Sequence, residues 1–577
     1  MGSSFSIVLL LLGIIWPLFV TLMLVFRGGR SLAQSLAPWA ALPALMASLF
    51  VTPSDVYWAF PAVLLGTELG LDATGQVFLL LTALLWTVAG VYARAYFPQA
   101  EQRSRFYVFF MLAMAGNFGL IIAQDLPSFY LGFTLMSFAA YGLVVFNGDV
   151  AALRAGRVYI GLVVVGELML FVALLLAVQA TDAITFNAVR IALIDADNRD
   201  WIILLVFIGF GIKVGVIGLH VWLPLAHPVS PAPASAVLSG AMLNAGLLGW
   251  LRLLPIGDVA LPGWGSFMIV LGVSSAFYGV VIGLTQRDPK TLLAYSSISQ
   301  MGVITLFVGI GMLTPQAWPV ILPSIAFYAL HHGLSKGALF LGVGMSGDHR
   351  RRQRCWVWFG LWLLALTLAA APWTSGMLAK NLINSYASYA TTPWNTLLPV
   401  LLSISTVATA LLMARLLYLT RPAAKPFGFV PVVGLVWPWL VLLLAVLWAP
   451  WWLGASLPEQ AVELQMMKSL WPILLAFVVT IIVLNRNLFH SLNPVPAGDI
   501  FVFIEWMFQP LCQMAKKGFY WLCFFSQIVQ RYQCLIMCQI KMAFASILTF
   551  ERCFSRWRLA IYFVVMIALG TALIANS

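Results

Sequence analysis

The sequence predicts an all-α polytopic membrane protein with about 14 to 16 transmembrane helices. Three observations require it. Of the 577 residues, 62% are hydrophobic and only 9% are charged. Mean hydropathy is +0.97, far outside the range of soluble domains. The apolar runs are long and uniform, without the every-second-residue alternation of a membrane barrel, so they read as helices.

Apolar runs bounded by charges, Gly and Pro place spans at residues 5–26, 37–52, 75–96, 106–123, 127–147, 157–180, 201–218, 233–254, 264–284, 292–312, 318–345, 356–382, 394–419, 432–454, 469–485 and 558–575. The first, Phe5 to Phe26, is longer than a signal-peptide core and has no basic residue before it, so it is expected to be a retained helix. Net charge is +12, carried largely in short loops. Arg27 and Arg30, then Arg94, Arg103 and Arg105, Arg154 and Arg157, Arg287 and Lys290, and Arg350 to Arg352 follow odd-numbered spans. Asp55, Glu68, Asp72, Asp125 and Asp258 occupy the alternate loops. This positive-inside bias predicts a multi-pass membrane protein with its N-terminus outside, and makes the excess charge a topology signal rather than a nucleic-acid footprint.

Residues 487–557 mix Lys516, Lys517, Arg531, Lys541 and Arg552 with aromatic residues, Cys and Met, as expected of an amphipathic helix lying along the membrane or along partner subunits. Of six cysteines, Cys534 and Cys538 share a helical face, but no CxxC occurs and small apolar packing explains them. No dinucleotide fingerprint, phosphate loop, iron–sulfur framework or haem ligand pair is present, so neither a cofactor nor a metal is expected.

Lys213, Lys336 and Lys380 lie inside runs apolar enough to span a bilayer. A charge there costs about 2.5 to 3.5 kcal/mol on insertion scales unless it faces protein, a partner charge or water, so intramembrane lysines mark an ion path. Lysine can release and rebind a proton; arginine cannot. In FYALHHGLSKGALF, His332 and Lys336 stand four residues apart on one helical face, whereas His331 points elsewhere and reads as structural. His220 follows Lys213 by two turns, and His227 lies beyond it. Each is either a relay or a satisfied interior histidine. Glu167, in the middle of its span, is either a helix-locking ion-pair partner or a switch whose closeness to Lys213 holds that lysine protonated.

Asp288 and Lys290 are expected to anchor a helix start, with Ser296, Ser297, Ser299 and Gln300 lining a water wire beyond it. Arg415 either snorkels to the surface or lines an exit. Pro224, Pro228, Pro231 and Pro233 after Lys213, and Pro372 with Gly376 before Lys380, are expected to interrupt two spans, the pattern of an inverted-repeat transporter.

FGIKVGVIGLHVWLPLAHPVSPAPASAVLSGAMLNAGLLGWLR, QRDPKTLLAYSSISQMG and LHHGLSKGALFLGVG together resemble the antiporter-like proton-translocating subunits shared by respiratory complex I and Mrp sodium/proton antiporters. The LHVWLPLAHPVSP and SAVLSG wording is similar to that of the large membrane subunit of group 4 membrane-bound hydrogenases. The resemblance covers roughly residues 75–420. It implies two inverted five-helix repeats with broken helices 7 and 12, within five segments: N-terminal helices 1–105, a first repeat 106–255, a second 256–420, C-terminal helices 421–486, and the lateral helix with a final span 487–577.

In this resemblance Lys213, Lys336, Lys380 and His332 match family positions, while Thr134 stands where a span 5 glutamate is expected and Asn244 where a span 8 lysine is expected. The implied function is proton or sodium translocation, as a non-redox translocase subunit of an oxidoreductase complex of NADH–quinone or hydrogenase type. Its partners would be other membrane subunits, the bilayer and the transported ions, with no nucleic acid. The alternatives are a non-pumping membrane anchor with an antiporter fold, which Thr134 and Asn244 favour, and a stand-alone cation/proton antiporter.

Overall fold

Lipid offers a backbone no hydrogen bonds, so long apolar runs close their own as helices. The computed structural model of the chain has them throughout residues 2–53, 57–346, 351–422, 433–453, 466–485, 493–499 and 502, which are the residues described. In order they are α1 (Gly2–Val25), α2 (Arg30–Leu36), α3 (Leu42–Phe50), α4 (Ala73–Tyr96), α5 (Ala100–Ile122), α6 (Leu126–Val144), α7 (Val150–Thr181), α8 (Phe186–Ala192), α9 (Arg199–Val214) and α10 (Trp222–Val229). There follow α11 (Ala232–Val237), a π-helical turn (Leu238–Met242), α12 (Leu243–Leu253), α13 (Pro262–Thr285), α14 (Pro289–Leu313), α15 (Trp318–Ser346), α16 (Arg351–Leu368), α17 (Ser375–Tyr386), α18 (Trp394–Leu419), α19 (Val433–Leu453) and α20 (Met466–Asn485).

All of these belong to one compact unit, Met1–Phe60 with Gly66–Ala497. A second unit comprises Pro61–Leu65 and Gly498–Ser577, in which the Val502 N–H donates to the Gly498 carbonyl at 3.1 Å. Among the described residues, ten helical segments are long and apolar enough to cross a membrane, and three shorter apolar helices accompany them. Every predicted span from 5–26 to 469–485 falls on a helix or a broken pair of helices. The last span, the lateral helix and the Cys534–Cys538 pair lie outside the described residues.

Two sets of helices pair alike. In the first, α5 packs on α6, α7 on α9 and α9 on α12; in the second, α13 packs on α14, α15 on α16 and α16 on α18. Each set holds five long elements if a broken pair counts once. The leading pairs also approach by the same device, with small residues letting two backbones meet. A Cβ on Gly116 of α5 would stand 2.6 Å from the Gly132 carbonyl oxygen of α6, and one on Gly272 of α13 would stand 2.5 Å from that of Gly302 of α14. The second helix of each set is capped by an aspartate: Asp125 accepts from the Ser128 N–H at 2.8 Å and Asp288 from the Thr291 N–H at 2.7 Å. Asp288 is thus the helix-end anchor its sequence context implied.

Helices break where predicted, but the first break is not made by the predicted prolines. The first break, 215–221, precedes Pro224, which sits in the first turn of α10 where its missing N–H costs nothing. Gly215, at φ +78°, ends α9 two residues after Lys213. The second break, 369–374, does contain Pro372. Gly376 lies beyond it in α17, where the Thr367 carbonyl crowds its Cα and leaves no room for a Cβ.

Between α3 and α4 lies a short antiparallel hairpin, β1 (Trp58–Phe60) and β2 (Thr67–Leu69), a small addition to the all-α expectation. Nearby Arg252, buried at the end of α12, donates to the carbonyls of Leu120 (3.0 Å), Ile121 (2.6 Å) and Ala123 (2.5 Å), which end α5, and pairs with Asp72 at 3.5 Å. Replacing it strands those acceptors and the Asp72 charge. We expect Arg252→Met to lower unfolding stability in detergent by about 3 to 5 kcal/mol, and a loss below about 1 kcal/mol would show the plug to be dispensable.

Candidate ion-translocation site

Glu167 on α7, Lys213 on α9, His220 in the first break, and His332 and Lys336 on α15 are 5, 3, 0, 0 and 0% exposed, so none of them snorkels. The elements that carry them are joined by packing of α7 on both α9 and α10, α10 on α14 and α14 on α15, and α15 packs in turn on α17.

At one end, the Thr134 hydroxyl on α6 donates to Glu167 Oε2 at 2.6 Å, while Oε1 has no hydrogen-bond partner among the described residues. The carboxylate therefore reaches the position of the expected span 5 glutamate from the neighbouring helix. Glu167 and Lys213 are close enough to interact electrostatically, yet they form no ion pair within 4 Å. The Lys213 ammonium donates instead to the Tyr159 hydroxyl on α7 at 2.9 Å. The sequence expectation that closeness to Glu167 holds this lysine is replaced here by a tyrosine that sequence reasoning missed.

His220 stands edge-on to Tyr278 with ring centroids 5.2 Å apart, and 6.5 Å from Tyr295. His227 is stacked on Phe340 at 4.5 Å, and its two ring nitrogens have no partner among the described residues. Lys290 donates to the Ser230 carbonyl at 2.7 Å, tying the start of α14 to the loop after α10.

The π-turn presents Ser239 to Ser297 of α14, and the two hydroxyls share a hydrogen bond of 2.9 Å. Ser297 donates on to the Leu293 carbonyl, and Lys336 donates to the same oxygen at 3.0 Å. Ser296 and Ser299 keep buried, unpartnered hydroxyls among the described residues, and Gln300 is drawn away to Tyr328 and Thr409, so the expected water-wire residues divide. Asn244 donates to the Gly240 carbonyl at 2.8 Å and leaves its own Oδ1 unpartnered among the described residues.

His332 has neither ring nitrogen satisfied within the described residues. His331, read from sequence as merely structural, shares a 2.9 Å hydrogen bond with Ser375, the first residue of α17, and so joins the Lys336 helix to the broken helix that carries Lys380. The only sequence signal for it was the doubled histidine. The Lys380 amine, buried and unpartnered among the described residues, borders a small cavity of about 10 Å³ also lined by Asn384, Ser405 and Thr406.

Arg415 is buried, and its guanidinium donates to the Gln286 carbonyl at the end of α13 at 3.2 Å, which removes the snorkelling alternative. Asp125, outside the spans, also accepts from the Glu68 N–H at 2.8 Å. Burial pushes its carboxyl up from the usual range against the pull of its backbone hydrogen bonds.

A family model described as NADH:quinone oxidoreductase/Mrp antiporter, TM matches residues 123–411, half of the chain. The chain belongs to this family. Within it, hydrogenase-4 component B of Escherichia coli is 32% identical over 286 residues, 48% of this chain and 43% of that protein. NADH-quinone oxidoreductase subunit N of Desulforudis audaxviator is 32% identical over 342 residues, 57% of this chain and 66% of the relative. The chain thus spans less than two thirds of the length of either relative. Among solved structures, the Mrp complex from Dietzia sp. superposes over 89% of this chain and 60% of its own, with a TM-score of 0.72 at 20% identity. That likeness shows the antiporter-type fold.

Proposed function

We propose that the chain is a proton- (or sodium-) translocating membrane subunit of a redox-driven or antiporter complex, containing no redox centre itself. One observation carries the reading: Glu167, Lys213, Lys336 and Lys380 are sequestered in one bundle, α9 packing on α7, α7 on α10, α10 on α14, α14 on α15 and α15 on α17, and among the described residues no carboxylate lies within 4 Å of any of the three lysines. Ammonium groups so placed are costly as scaffolding and suited to releasing and rebinding a proton. The carriers in this reading are Glu167, Lys213, Lys336, Lys380 and His332, with His220 and His331 bridging between them. Supporting it, relatives are named as subunits of hydrogenase-4 and of NADH-quinone oxidoreductase. The alternation of basic and acidic loops supports a bacterial inner-membrane location with the N-terminus outside. Helices 106–255 and 256–420 would form the two translocating repeats.

The non-pumping anchor retains support from Asn244, an amide that cannot carry a proton's charge, where the relay passes toward Lys336. Purifying the native complex through a tag on this chain and reconstituting it into vesicles with a pH-sensitive dye separates the two readings. Lys213→Ala is expected to lower ion movement by on the order of a hundredfold with assembly intact. Movement at the wild-type rate would leave the anchor standing.

A further inference from the structure

Lys213 is surrounded by aromatic rings. Its ammonium lies 5.1 Å from the ring centroid of Tyr159, 5.7 Å from that of Trp222 and 5.9 Å from that of Phe133, all within the reach of a cation–π contact. The three rings come from α7, α10 and α6. Tyr159 and Trp222 meet edge to face at 5.2 Å.

Each polar ring is also fixed in orientation. The Tyr159 hydroxyl donates to the Ser137 carbonyl at 2.8 Å, which turns its lone pairs toward Lys213, and Trp222 Nε1 donates to the Ile212 carbonyl at 2.6 Å. A tyrosine whose proton is committed elsewhere can only accept from the lysine. Meanwhile Glu167, the nearest candidate counter-charge, is held by Thr134.

We propose that Tyr159, Trp222 and Phe133 form an aromatic box that holds the Lys213 ammonium in a carboxylate-free position distinct from Glu167, making Tyr159 and Trp222 positioning residues that decide when the lysine turns to the carboxylate. Lys213 then has two holding positions, one built from ring faces and a hydroxyl and the other from Glu167. The box supplies what a lone ammonium in a bundle lacks, a stabilising environment that brings no second charge to be neutralised. Phe133 and Thr134 are sequence neighbours on α6, so a movement of that helix alters the box and the Glu167 contact together. The inference deepens the translocation reading and rests on it.

Its test separates the two. In the native complex labelled with ¹⁵N-lysine, ammonium protons facing the Trp222 and Phe133 rings are expected upfield of the other lysines in solid-state NMR, and Lys213→Ala removes that resonance. Tyr159→Phe, which keeps the ring, is expected to retain most of the ring-current shift and slow ion movement about tenfold through loss of the charged hydrogen bond. Trp222→Leu and Phe133→Leu are expected to move the resonance downfield and slow movement further, with assembly checked by size-exclusion chromatography. A Lys213 resonance indistinguishable from other lysines, or unmoved in both leucine variants, overturns the box. A resonance that behaves as described while Lys213→Ala transports normally overturns the translocation reading and leaves the box intact.

Discussion

Lys336→Met is expected to reduce ion translocation by on the order of 10²- to 10⁴-fold while leaving the protein at least as stable as before. The two effects have one cause. Lys336 is 0% exposed, and among the described residues its ammonium is anchored by a single backbone acceptor, the Leu293 carbonyl, which the Ser297 hydroxyl already shares. A charge removed from water and given one neutral acceptor destabilises the fold that contains it. Methionine fills nearly the same volume without charge, so the variant relieves that cost without opening a cavity. A residue whose removal strengthens the fold and abolishes transport is retained for transport. Lys336→Arg is the control: it restores charge but cannot release a proton under working conditions, so it should transport no better than methionine. Dye-monitored uptake in vesicles, paired with thermal unfolding of the same preparation, reads both quantities. Transport within about twofold of wild type in Lys336→Met removes this lysine from the path.

How far the site was readable from sequence follows from what kind of signal each residue emits. A lysine or glutamate inside an apolar run stands out against its neighbours, and Glu167, Lys213, Lys336 and Lys380 were found that way. Helix positions were legible because hydrocarbon thickness and backbone satisfaction leave one solution for a run of about 20 apolar residues. Partner choice was not legible. Tyr159 lies 54 residues from Lys213 and is one ordinary aromatic among many, so nothing local marks it as the lysine's acceptor. His331 was set aside on helical spacing from Lys336, an argument that sees one helix face and not the broken helix opposite, where Ser375 waits. The first helix break was misattributed because proline is the louder signal, although its ring is tolerated in a first turn and the left-handed Gly215 ends the helix. The π-turn at Leu238–Met242 has no sequence signature at all, yet it sets Ser239 against Ser297.

Moving the buried carboxylate between two helices should move function with it. Glu167→Gln is expected to cut translocation about a hundredfold, because Lys213 then loses the one carboxylate that acts on it among the described residues and keeps the aromatic box as its holding position. Thr134→Glu alone places two carboxylates at a 2.6 Å contact inside the bundle, and their repulsion should lower both stability and transport. The exchange Thr134→Glu with Glu167→Thr keeps one carboxylate and one hydroxyl at that same contact, with only the supporting helix changed. If the site needs a negative charge at that point in space rather than on α7, the double variant should recover at least about a tenth of wild-type transport, well above the product of the two single effects. A double variant as inactive as Glu167→Gln would mean that the path depends on the α7 backbone carrying the charge, and that Thr134 merely fills the space beside it.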